Sequence, residues 1–297
     1  MRWYLLLTFI IILPCLALTG CKDSAAKEKP LVAQIPPAGG KVNPIDGAAM
    51  VLIPEGEFLM GRSEAEVAEY LKKTQPDVKP SAVESVTAQR KVMLDSFYIY
   101  QYEVTVAQYR KFCKERDMPM PKEPPTENFI RPWKWQDDNP IVGVSWYDAL
   151  AYCDWAGAKL PTEAQWEKAA RGNQGNIHPW GNNDSNNVAN RYNSVSVWGH
   201  YGTWPVGYFP MDKSPYNVFD MAGNVREWCE DWYDKDYYKE AQDTNPLGPE
   251  KGKLRTIRGG SWLYFTSVSC AMRDRRTPTG KYFDIGFRCV MKVDQGL

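Results

Sequence analysis

The chain of 297 residues carries 36 basic and 36 acidic side chains, for a formal net charge of zero. That balance gives no reason to expect nucleic-acid binding, which needs a basic face. Its apolar content rests on 12 Trp and 17 Tyr beside 22 Gly and 22 Pro, a mix that predicts large rings buried between irregular loops and fastened by metals or disulfides.

In chain order, Met1-Arg-Trp supplies one positive charge, residues 4–18 are nearly all apolar, and Leu18-Thr-Gly-Cys21 follows. This predicts a bacterial lipoprotein signal over residues 1–20, with Cys21 as the lipid-modified (palmitate-bearing) N-terminus after cleavage. The apolar run is too short for a good span, so the expected attachment is an anchor in the membrane of the cell envelope. Lys22-Asp23 lacks the pattern associated with inner-membrane retention and points to the outer membrane. Residues 21–45 have no hydrophobic period and read as a flexible tether. Residues 46–297 are long enough for one large domain.

Within that domain, residues 50–61 predict two short strands around Pro54-Glu-Gly56, and residues 92–104 continue strand-like. Thr105-Val-Ala-Gln108 is a capping box opening a helix to about Glu115. Ser145 opens a second helix with Trp146, Ala149, Leu150 and Cys153 on one face. Thr162-Glu-Ala-Gln165 opens a third, with Trp166, Ala169 and Ala170 inward. From Gly172 onward the residues predict mostly loops. The stretch Tyr216-Asn-Val-Phe-Asp-Met-Ala-Gly-Asn-Val-Arg-Glu-Trp-Cys-Glu-Asp-Trp232 reads as neither an amphipathic helix nor a plain strand. It combines apolar residues with Asp220, Asn224 and Glu227 around a turn at Gly223. By themselves the two carboxylates there suit salt bridges or a helix cap first, since short acidic motifs match by chance, and a hard cation such as calcium second.

Asp220-Met-Ala-Gly-Asn-Val-Arg-Glu-Trp228 resembles the signature of the formylglycine-generating enzyme family, the sulfatase-modifying factors. Segments 50–61, 102–109, 140–146, 158–167, 179–181, 258–262 and 285–289 resemble further family motifs in the same order. The resemblance implies an α+β fold, the family's variant of the C-type lectin fold, with short strands and few helices. It implies a calcium site from Asp220, the Gly223 and Val225 carbonyls and Glu227. A second site would fall on Asn190 and the Arg191 carbonyl, with Trp198 where an aspartate is needed and a carbonyl near His200. It implies a disulfide between Cys153 and Cys289; Cys229 with Cys270 is a possible second pair, and Cys113 the odd thiol.

Family oxidases convert a client cysteine to formylglycine with copper held by two thiolates, the ligand type monovalent copper prefers. Here Tyr264 and Ser269 occupy those positions, with Cys270 one residue along and Ser261 matched nearby. Arg226 replaces the tryptophan that borders the substrate groove. A related branch holds iron through several histidines, whereas this chain has only His178 and His200. The expectation is a lipid-anchored envelope component lacking the copper pair, which holds a protein or peptide partner. The alternative is an active oxidase, or another maturation enzyme for exported proteins, with Cys270 as a reactive thiol.

Overall fold

The computed structural model describes residues 38–63, 65–68, 72, 89–124, 134–183, 188–190, 202–263 and 269–293. The chain divides into two units, residues 1–30 and 31–297. The first unit, with the expected signal and Cys21, lies outside the described residues, and every described element belongs to the second. Among the described residues no helix is long and apolar enough to cross a membrane.

Helix starts follow the local chemistry. Thr105 caps α1 (Val106–Glu115), Ser145 caps α2 (Trp146–Trp155) and Thr162 caps α3 (Glu163–Arg171). In each, the cap hydroxyl accepts from the backbone N–H three residues on, and that residue's side chain accepts from the cap's own N–H. Two orphan donors per helix are thereby satisfied. On α2 the expected inward face is buried at Trp146, Ala149 and Cys153, while Leu150 is partly covered. On α3 not only Trp166, Ala169 and Ala170 but also Glu163, Glu167, Lys168 and Arg171 are buried, so the helix is enclosed on every side. A fourth helix, α4, is the short Tyr237–Glu240.

Among the described residues the strands form three sheets. β1 (Lys41–Val42), β2 (Ala49–Ile53), β5 (Phe97–Tyr100) and β10 (Val290–Lys292) lie in the order β1-β2-β5-β10, all antiparallel. β3 (Gly56–Met60) pairs with β4 (Arg90–Leu94). β6 (Arg226–Trp232), β7 (Arg255–Arg258), β8 (Arg273–Arg276) and β9 (Ile285–Gly286) lie in the order β8-β7-β6-β9, with β6 parallel to β9. β1 falls inside the stretch expected to be tether, and Asn43 there is buried. That expectation is corrected at its C-terminal end.

Beyond Gly172 the described residues are mostly loop, as expected, with the short strands β6 to β10 set among them; the reading of residues 216–232 as no plain strand is corrected at β6. β6 is an inner strand whose first four residues are all buried. A strand covered on both faces loses the alternation that marks a half-exposed one.

Two cores result. One stacks Tyr109 on Tyr152 at 5.8 Å and sets Phe112 against Trp155 at 5.5 Å. The other gathers Trp166, Met221, Cys229 and Cys270 with the aliphatic residues of β2 to β5. Between α3 and the β6–β9 sheet lies a buried ion network. Glu163 accepts from Arg258 and Arg273, and Glu167 accepts from Arg171, Arg258 and the Gly61 N–H. Burial of such charges is tolerated only because each is matched.

Candidate functional site

Upstream of β6 the backbone enters the left-handed region at Asn217, Asp220 and Asn224, with φ of 62°, 61° and 60°. Short polar side chains tolerate that region best after glycine. The turn expected at Gly223 has a different cause. A Cβ there would lie 2.8 Å from the Asn190 carbonyl oxygen and 2.9 Å from its nitrogen, so glycine is required by the close approach of two backbones.

Glu227, on β6, is fully buried and faces Arg288. Its Oε1 accepts from Arg288 Nη2 at 2.7 Å; its Oε2 accepts from Arg288 Nε at 2.7 Å and Trp166 Nε1 at 2.8 Å. Arg288 directs its other N–H groups to the carbonyls of Tyr100, Gln101 and Phe219. Burial works against its charge, and the Glu227 carboxylate outweighs that and holds the guanidinium protonated.

Asp220 Oδ2 accepts from the Gly207 N–H at 2.6 Å. Gly207 has φ +69°, and a Cβ there would strike the Tyr102 ring at 2.5 Å. Beside Asp220 sits Glu103, 1 % exposed, whose two carboxylate oxygens accept no hydrogen bond among the described residues. Burial, then the Asp220 charge, pushes the Glu103 carboxyl well above the usual range. Burial likewise pushes Asp220 up to about 6, against the Gly207 N–H and Arg288. Among the described residues no three His, Cys, Asp or Glu side chains gather to hold a metal. A cation here would draw on these carboxylates and on amide or backbone oxygens.

A second cluster surrounds Arg226. Its Nε and Nη2 donate to Asp284 Oδ2, and its Nη1 donates to Asp274 Oδ2 at 2.6 Å. Ser261 Oγ donates to the same Asp284 oxygen at 3.1 Å. Ser269 and Cys270 are buried. The Cys270 N–H donates to the Ile177 carbonyl, its own carbonyl accepts from Arg258, and burial pushes its thiol up. A buried, protonated thiol is a poor nucleophile and a poor metal ligand. Tyr264 lies outside the described residues.

Cys153 Sγ and Cys289 Sγ stand 3.3 Å apart and buried, as thiols. Cys113, Cys229 and Cys270 are likewise buried free thiols. Asn190 donates through Nδ2 to the Gly202 carbonyl and to Asn224 Oδ1, at 3.0 and 3.3 Å, and its carbonyl accepts from the Asn224 N–H. Arg191, Trp198 and His200, the rest of the expected second cation site, lie outside the described residues. His178 is buried and stacks on Trp180 at 5.0 Å.

The sulfatase-modifying factor enzyme 1-like domain matches residues 39–293. The chain belongs to this family. It is 31 % identical to the formylglycine-generating enzyme of Bos taurus, over 84 % of this chain and 76 % of that protein. It is 28 % identical to the inactive Cα-formylglycine-generating enzyme 2 of Mus musculus, over 81 % of this chain and 85 % of that one. Among solved structures, PvdO from Pseudomonas aeruginosa superposes with a TM-score of 0.70 at 26 % identity, over 86 % and 98 % of the two chains. The fold is thus the α+β fold of the sulfatase-modifying factors.

Within that family fold, the site contains groups that motif reading passed over. Arg288 lies in the Gly-Phe-Arg-Cys motif and Glu103 in Tyr-Glu-Val-Thr, both singled out as stretches but given no role. Their signal was a charged residue amid apolar ones. The Arg226–Asp284 pair spans 58 residues and carries no local signal.

Proposed function

We propose that this sulfatase-modifying factor works as a lipid-anchored component of the bacterial cell envelope, holding a protein or peptide partner rather than running copper oxidation. The observation that carries this is Arg226. Where the family places a groove-lining tryptophan, this chain has a guanidinium locked between Asp284 and Asp274. An apolar ring that would border a substrate is replaced by a buried ion cluster of which only Asp274 is partly exposed. Tyr264 and Ser269 supply no thiolate for copper, and Cys270 is enclosed.

Attachment would run through Cys21, after removal of residues 1–20, most simply to the outer membrane. In that oxidising compartment Cys153 and Cys289, already in van der Waals contact, would form a disulfide. Calcium would act as a structural fastener around Asp220. The donor set fits a hard cation, because Glu103, Asp220 and Glu227 face a single guanidinium and are out of reach of water. Glu227 is committed to Arg288 and Trp166. The ion's contribution there would be to neutralise buried charge and pin the 217–220 loop.

The test uses the full chain purified in detergent, titrated with copper(I) and then incubated in air with a cysteine-containing sulfatase peptide. The expected outcome is no stoichiometric copper and no change in peptide mass. Tight copper with loss of the peptide thiol would establish the oxidase instead. For the binding role, a photo-crosslinker at Leu263, exposed beside Ser261, should give one discrete adduct in cells. An absence of adducts would overturn it.

A further inference from the structure

The buried acids around Asp220 outnumber the cations that reach them. An arginine has five N–H donors. Arg288 uses all of them, two on Glu227 and one each on the carbonyls of Tyr100, Gln101 and Phe219. None is left for Glu103 or Asp220. Glu103 is nonetheless within hydrogen-bond reach of Asp220. Two ionised carboxylates only accept, so the contact holds a shared proton, carried by Glu103, or a cation in that proton's place. Both Glu103 oxygens are buried without a donor among the described residues. Two residues earlier, Gln101 donates through Nε2 to the Asn217 carbonyl and leaves its own Oε1 buried and likewise without a donor. Carboxylate and amide oxygens stripped of donors are the coordination chemistry of a hard divalent cation, not of a soft one.

We propose that Glu103, paired with Asp220, is the principal carboxylate ligand of a calcium ion clamped between the 101–104 segment and the 217–220 loop. This rests on the calcium reading above and moves its anionic ligand from Glu227, which serves Arg288 instead, to a residue far outside the central segment. Glu103 is held for the task from both sides. The Val104 N–H donates to the Phe287 carbonyl, and the Phe219 N–H donates to the Gln101 carbonyl. The clamp therefore joins β5's exit, the loop before β6 and the segment carrying Arg288.

The experiment is calorimetric titration of the full chain in detergent with Ca²⁺, combined with thermal unfolding in chelator. The wild type should bind one Ca²⁺ and lose melting temperature on chelation. Glu103→Gln should weaken Ca²⁺ binding at least tenfold. Its calcium-free melting temperature should equal or exceed that of the calcium-free wild type, because a buried carboxyl without a donor is replaced by a neutral amide. Glu227→Gln serves as the contrast and should affect Ca²⁺ affinity less than Glu103→Gln. If Glu103→Gln keeps wild-type affinity, the assignment of Glu103 is wrong while calcium binding stands. If the wild type shows no Ca²⁺ response at all, the calcium reading and the Glu103 assignment fall together.

Discussion

Arg288→Met tests whether the centre of the domain is organised by one guanidinium. In the wild type Glu227 and Arg288 are both fully buried and joined by two parallel contacts of 2.7 Å. The substitution keeps apolar volume but strands a carboxylate and uncovers the carbonyls of Tyr100, Gln101 and Phe219. Removing one partner of a buried pair costs about 3–5 kcal/mol. For a domain of this size each kcal/mol lowers the melting temperature by about 2–4 °C, so the expected fall is roughly 6–20 °C. The assay is thermal unfolding followed by far-ultraviolet circular dichroism in calcium-free buffer. The double variant Arg288→Met, Glu227→Leu should recover part of the loss, because the stranded charge is then absent. A single variant that melts within about 3 °C of wild type, well under the loss expected of a broken buried pair, would show that the pair does not hold the centre together.

Asp231 makes a pH-dependent contribution of calculable sign. Burial, then the neighbouring Glu163 charge, raises its pKa from 3.8 to about 8 in the folded state. Its stabilising effect is therefore complete below the unfolded value and declines as pH rises from about 4 to about 8, by up to roughly 1.4 kcal/mol per pH unit. Melting curves of Asp231→Asn, compared with wild type across that window, should lack this decline; parallel curves would contradict it. Gly207→Ala forces a side chain into the left-handed region and against Tyr102. It should cost about 1–3 kcal/mol in chemical denaturation, and a neutral result would mean the Asp220 loop is not held by that contact. Reduction of protein purified under oxidising conditions should lower its stability by about 2–5 kcal/mol if the Cys153 and Cys289 sulfurs, 3.3 Å apart, are bridged. A melting temperature unmoved by dithiothreitol would count against the bridge.

The legible part of this protein is local. Thr105 with Gln108, Ser145 with Asp148 and Thr162 with Gln165 act across three residues, so the helix starts can be read from adjacent letters. The ordered motifs likewise carried the family and the fold, because runs of residues are matched without reference to what they touch. β6 was missed as a strand because enclosure on both faces erases its period.

The site's chemistry belongs to tertiary structure. Spacing within one segment suggested that Asp220 and Glu227 act together, yet the fold gives Glu227 to Arg288, 61 residues away, and brings Glu103 beside Asp220. The sequence alone determined which charged residues exist, where helices begin and which family the chain resembles. Which carboxylate is matched by a guanidinium and which is left facing another carboxylate was decided only by packing. Electrostatic partnership depends on distance through a low-dielectric interior, and that distance bears no relation to separation along the chain.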